Sequence, residues 1–207
     1  MFLGNQGFMT FTPRSALRQR LFAFFVAGAG ATAAAAASFA MTLYDAAHPP
    51  EIPVVGLGQP IDTGRWTVTF HGARAGSVPP TGVPPYEPKQ LVMVDLDVVN
   101  RSAAPNNVLF RLLTPDPPVE GLPQPDFYLD RDKWFAGYLN PDMPERVTAV
   151  WEWPRGREIP KKLRLKINSQ IYKQRDNLYG ASGWYDRDPV ATVEMPVIAE
   201  TQEEKAK

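Results

Sequence analysis

The longest charge-free run in the chain contains the segment from Leu21 to Leu43, LFAFFVAGAGATAAAAASFAMTL. It is long enough to cross a bilayer core of about 30 Å as a helix. Arg14, Arg18 and Arg20 precede it, and the first acid is Asp45. By the positive-inside rule this predicts a cytoplasmic N-terminus and export of everything after the run. Two readings of the run stay open. One is an uncleaved transmembrane signal anchor. The other is a cleavable signal peptide, with residues 21–30 as its apolar region and Ala35-Ala36-Ala37 or Ser38-Phe39-Ala40 offering small residues at cleavage spacing. The implied division is a cytoplasmic N-terminus over 1–20, the membrane segment over 21–43, a Pro-rich spacer over 44–60, a folded domain over 61–198 and a solvated tail over 199–207.

Composition matters once the chain is split there. The formal net charge is zero. Removing the three leader arginines leaves 19 basic against 22 acidic residues, a mildly acidic remainder. Such a balance argues against binding nucleic acid, which needs a basic surface. The chain has no cysteine and only two histidines, His48 and His71. This excludes disulfides, thiolate metal sites, cysteine nucleophiles and a three-histidine metal site. No cofactor is expected, because the chain lacks a phosphate-cradling glycine loop: Gly56-Leu57-Gly58 has neither a third glycine nor a following helix pattern.

Beyond residue 43 the pattern is alternation interrupted by proline. Trp66, Val68 and Phe70 alternate with Thr67, Thr69 and His71, predicting a strand over 65–72. The residues 73–89 hold five prolines and read as a long loop. Val92, Val94, Leu96 and Val98 make one face of a strand over 90–100, and Leu91, Met93, Asp95 and Asp97 the other. Further strands are expected over 108–113, 127–129, 146–153, 161–171 and 190–198. About seven one-faced strands and no amphipathic helix predict an antiparallel β-sandwich behind one N-terminal transmembrane helix.

The order of these motifs resembles the telokin-like immunoglobulin-fold group of secreted or membrane-anchored bacterial proteins of unknown function. The resemblance rests on Asp62-Thr63-Gly64-Arg65-Trp66-Thr67-Val68, on a strand over 91–99 ending in Asn100-Arg101-Ser102, on Leu139-Asn140-Pro141-Asp142-Met143-Pro144, and on Trp153-Pro154. It covers roughly 60–170. The insert at 73–89 and the segment 173–188 depart from it. The resemblance implies an immunoglobulin-like fold and an envelope location, and no activity.

Chemistry is sparse. No Gly-x-Ser-x-Gly elbow accompanies His71. Asp95 and Asp97 lie about 7 Å apart on one strand face, a spacing compatible with paired carboxylates but commoner on a solvated face. Asp126, Asp130 and Asp132 lack the regular spacing of a calcium loop, and Asp186 and Asp188 flank Arg187, which suggests local ion pairing. No metal site and no catalytic residue is assigned. The informative residues are aromatics in loop-like segments: Trp134, Phe135 and Tyr138, then Tyr179, Trp184 and Tyr185. Aromatics displayed this way suit protein–protein contacts or sugar stacking. The expectation is a non-enzymatic protein of the cytoplasmic membrane. Its exported, periplasmic or extracellular domain binds a membrane or envelope protein, as accessory subunit of a complex such as a transporter. The alternative is a polysaccharide- or cell-wall-binding module using Trp134, Trp184 and Tyr185.

Overall fold

The computed structural model describes residues 14–48, 51–178 and 180–199, with side chains of the N-terminal helix from residue 30 onward. Residues 1–13, Tyr179 and the tail over 200–207 lie outside the described residues, as do the side chains of 14–29. The chain divides into two units, Met1–Glu51 and Ile52–Lys207.

Among its described residues the first unit forms one helix, α1 (Arg14–Ala47). The sequence placed an extended spacer from Tyr44, but the helix continues through the first four residues of that spacer, to Ala47. His48 closes it: its N–H donates to Tyr44 O at 2.9 Å, and its ring stacks on Tyr44 with centroids 4.3 Å apart. Pro49 and Pro50 follow, and proline disfavours helical backbone in the residue before it. Among the described residues no helix is long and apolar enough to cross a membrane. The side chains of residues 21–29, part of the run from Leu21 to Leu43, are not among those described.

The second unit is built of β1 (Val54–Val55), β2 (Pro60–Asp62), β3 (Trp66–Gly76), β4 (Gln90–Asn100), β5 (Leu113–Pro115), β6 (Asp126–Leu129), β7 (Pro144–Trp153), β8 (Lys162–Lys173) and β9 (Gly183–Ala199). The strand order is β5-β8-β9-β3-β4-β7-β6, with β1 beside β9 and β2 beside β3. The sheet curls on itself into a β-sandwich. One layer holds β5, β8 and most of β9; the other holds β2, β3, β4, β7 and β6. The last turn of β9 links them by pairing Val197, Ile198 and Ala199 with Ala73, Arg74 and Ala75. The expected all-antiparallel arrangement is corrected in two places: β1 and β3 both run parallel to β9. Neither contact could be read from alternation, which does not encode strand direction.

The core forms where the alternating faces meet. Val68, Val94, Leu96 and Val147 from one layer pack with Leu165, Ile167 and Val193 from the other, all fully buried. Burying one such side chain contributes roughly 1.5–3 kcal/mol. Trp66, Trp151 and Trp153 are the largest members.

Three element boundaries differ from expectation, each for a local reason. A bulge at His71 shifts the register of β3, so Ala73 turns inward and the strand continues to Gly76. The stretch 108–112 is a turn, not a strand. Its Leu109 and Leu112 plug the core, and ladder pairing starts only at Leu113. The segment 173–188 is not a loop throughout: β8 and β9 extend as a two-stranded ribbon that pairs Tyr172 with Trp184. Pro189 sits at the bulge where the ribbon leaves the sandwich, and Ser169 Oγ donates to Asp188 O at 2.8 Å across it.

Candidate partner-binding surface

The segment DFYLDRDKWFAGYL forms a hairpin on β6. Leu129 N donates to Trp134 O at 2.8 Å, and Ala136 N to Phe127 O at 2.7 Å. The turn between them is held three ways. Lys133 N donates to Leu129 O at 2.9 Å. Asp132 Oδ1 accepts from Trp134 N at 3.0 Å. Lys133 Nζ pairs with the Asp130 carboxylate. Lys133 has φ 57°, an unusual conformation for a residue with a side chain, which these contacts hold in place. The Lys133 hydrogen bond pulls the Asp130 carboxyl below its ordinary range. The three acids of this segment thus act as turn residues or strand ends. Among the described residues no group of His, Asp or Glu is placed to hold a metal ion.

This framework brings Trp134 and Phe135 together and leaves them in solvent, at 63% and 50% exposure, and Tyr138, two residues beyond the last hairpin bond, is exposed at 70%. Phe135 lies across the hairpin from buried Tyr128, with ring centroids 4.6 Å apart, and Trp134 meets Phe135 edge-on at 6.0 Å. Tyr128 belongs to a small apolar cluster with Leu91, Met93 and Val150 on the outer side of the sheet. That cluster accounts for the second apolar face of β4. Burial, and after it Asp126, pushes the Tyr128 hydroxyl above its ordinary pKa.

The second aromatic group is arranged differently. Trp184 and Tyr185 are neighbours on β9, so they point to opposite faces of the ribbon and cannot form one platform. Trp184 pairs with Tyr172, at 5.4 Å and a tilt of 57°. The Arg65 guanidinium lies over Trp184 at 5.3 Å and donates from Nη1 to Gln170 Oε1 at 3.3 Å. Gln170 Nε2 in turn donates to Asp186 Oδ1 at 2.6 Å. Burial lowers the Arg65 pKa, and Asp186 opposes that shift. On the other face Tyr185 OH donates to Asp176 Oδ2 at 2.9 Å, which raises the Tyr185 pKa, and Lys173 lies over its ring at 5.0 Å. Tyr179 lies outside the described residues. Tyr172 and Arg65 were missed in the sequence. Only the strand register and the turn before β3 bring them to Trp184.

Asp95 and Asp97 do share the outer face of β4, but each has its own partners. Asp97 meets His71 Nε2 at 2.8 Å. Asp95 pairs with Arg74 and accepts from Thr148 Oγ1 at 2.7 Å. The anticipated pairing around Arg187 takes another form: Asp186 binds Arg111 at 3.0 Å, from a different segment.

No family model matches the chain. No curated protein matches it. Among solved structures it is similar to an uncharacterized beta-sandwich protein from Clostridium difficile 630, at 12% identity and a TM-score of 0.44, over 68% of this chain and 97% of that one. A likeness of that size carries no argument about function.

Proposed function

We propose that the chain is a non-enzymatic envelope protein. In this reading the run from Leu21 to Leu43 fixes it in the cytoplasmic membrane, and an immunoglobulin-like domain outside binds a protein partner. The partner is another membrane protein, and the chain is an accessory subunit of its complex, a transporter for example. The observation that carries this reading is the hairpin on β6. It holds Trp134 and Phe135 in solvent on a backbone already fixed by hydrogen bonds, with Tyr138 exposed just beyond it. Aromatic anchors on a rigid element bind with little ordering cost and are typical interface hot spots. The anchor rests on the charge-free run behind Arg14, Arg18 and Arg20.

The test is a photo-crosslinking amino acid placed at 134 or 138 in cells. A discrete adduct containing one membrane protein, absent with the probe at 82 or 156, is the expected result. No adduct at either hairpin position would remove the reading.

A second reading, binding of a polysaccharide, is favoured by the ribbon. Trp184 and Tyr172 sit beside Arg65, Gln170 and Asp186, an aromatic surface edged by hydrogen-bonding groups. Trp134 and Tyr185 are not part of that surface. Retention on cell-wall polysaccharide that Trp184→Ala leaves unchanged would exclude it.

A further inference from the structure

The connection from β5 to β6 leaves one layer of the sandwich and joins the other, and it carries Pro117, Pro118, Pro123 and Pro125. Beside it lies a cavity of about 540 Å³. This is within the range of small-molecule sites, roughly 300–1,000 Å³. Its apolar lining comes from Val119, Leu122 and the core residue Trp151. Its polar lining comes from Arg111, Asn168, Asp186 and Arg187.

The charges in the cavity do not cancel. Asp186 is engaged on both oxygens, by Arg111 Nη1 at 3.0 Å and by Gln170 Nε2 at 2.6 Å. The Asn168 amide donates to Arg111 O at 2.7 Å and to Thr114 Oγ1 at 2.9 Å. Arg187 is left over: among the described residues no acid lies within ion-pairing distance of it. The second cavity along the same loop, of about 370 Å³, is different. There Arg164 pairs with Asp116, Arg157 with Glu120 and Lys162 with Glu194. Of these two cavities, the first combines an apolar wall with a cation that has no ion-pair partner among the described residues.

We infer that this cavity binds a small organic carboxylate carrying an apolar body. The carboxylate sits on the Arg187 guanidinium, whose planar donors match it in two parallel hydrogen bonds. The body lies against Val119, Leu122 and Trp151. Prolines on either side of Leu122 stiffen the wall, so little is lost in ordering it on binding. The site is separate from the hairpin and does not depend on what the hairpin binds.

The experiment is calorimetric titration of the full chain with 2-naphthoate and with the neutral 2-naphthamide. The acid is expected to bind about tenfold or more tighter than the amide, since a charge-assisted bond is the main difference between them. Arg187→Gln is expected to erase that preference and Arg187→Lys to keep part of it. Arg187 is exposed, so both variants are expected to fold. Trp134→Ala is expected to leave the titration unchanged, which separates this site from the partner surface. Absence of saturable naphthoate binding overturns the inference. So does equal binding of acid and amide, or a preference that survives Arg187→Gln.

Discussion

Gly64 adopts φ +84°, and a Cβ there would fall well inside contact distance of the Gln170 carbonyl oxygen. The turn between β2 and β3 lies that close to β8 because Gln170 N donates to Thr63 O at 2.8 Å. Only glycine satisfies both demands. Gly64→Ala is expected to destabilise the sandwich by about 2–4 kcal/mol in urea unfolding. Gly156 also has a positive φ, +79°, but opens onto empty space. Gly156→Ala should cost only about 1–2 kcal/mol. Equal costs would mean that the close approach of the turn to β8 is wrong. A second residue-scale expectation concerns Tyr185, whose pKa is raised by its bond to Asp176. The neutral phenol is the form held in the fold. That contribution is therefore fully present below the unfolded value near pH 10 and lost as pH rises through the folded value. In an NMR titration Asp176→Asn should bring the Tyr185 midpoint back toward its ordinary value.

At the scale of elements the hairpin is the unit that matters. Asp130 is held ionised by Lys133, so its contribution is present above the unfolded value near pH 4 and lost as pH falls through the lower folded value. The protection factors of the Leu129 and Ala136 amides, corrected for the intrinsic slowing of exchange in acid, should therefore fall as Asp130 protonates, and Lys133→Gln should lower them already at neutral pH. Trp134→Ala should weaken partner binding by about 2 kcal/mol or more. Its effect on stability should be within about 0.5 kcal/mol, because the ring is exposed. The strands β3, β4, β7 and β8 were legible because Val68, Val94, Trp151 and Leu165 belong to apolar faces that recur with period two, even though β4 and β7 bury part of their second face as well. Their limits were not. The bulge at His71 breaks the period, and the ribbon end of β9 has no buried face, so Trp184 to Asp188 carries no alternation to read. The aromatics of the hairpin stood out by composition. Their preformed backbone depends on Asp132 and Lys133 contacts that spacing alone does not reveal. The cavity beside Arg187 depends on residues 110 to 187 meeting across the curled sheet, a non-local fact with no local signal.

At the scale of the whole molecule the chain has two parts, a charge-free N-terminal segment and a cysteine-free β-sandwich that rests on its own core. If the segment is an uncleaved anchor, the chain recovered from membranes should have the full mass of 23.0 kDa. A mass lacking residues through 37 or 40 would instead support the cleaved reading. The central claim is that the sandwich works by presenting the β6 hairpin to a protein partner. Its most direct measurement is in-cell crosslinking from position 138, compared with position 156 on another exposed turn. One discrete adduct with a membrane protein is expected from 138, lost when Trp134→Ala is added, and none from 156. Identical patterns from the two positions, or no adduct from 138, would contradict it.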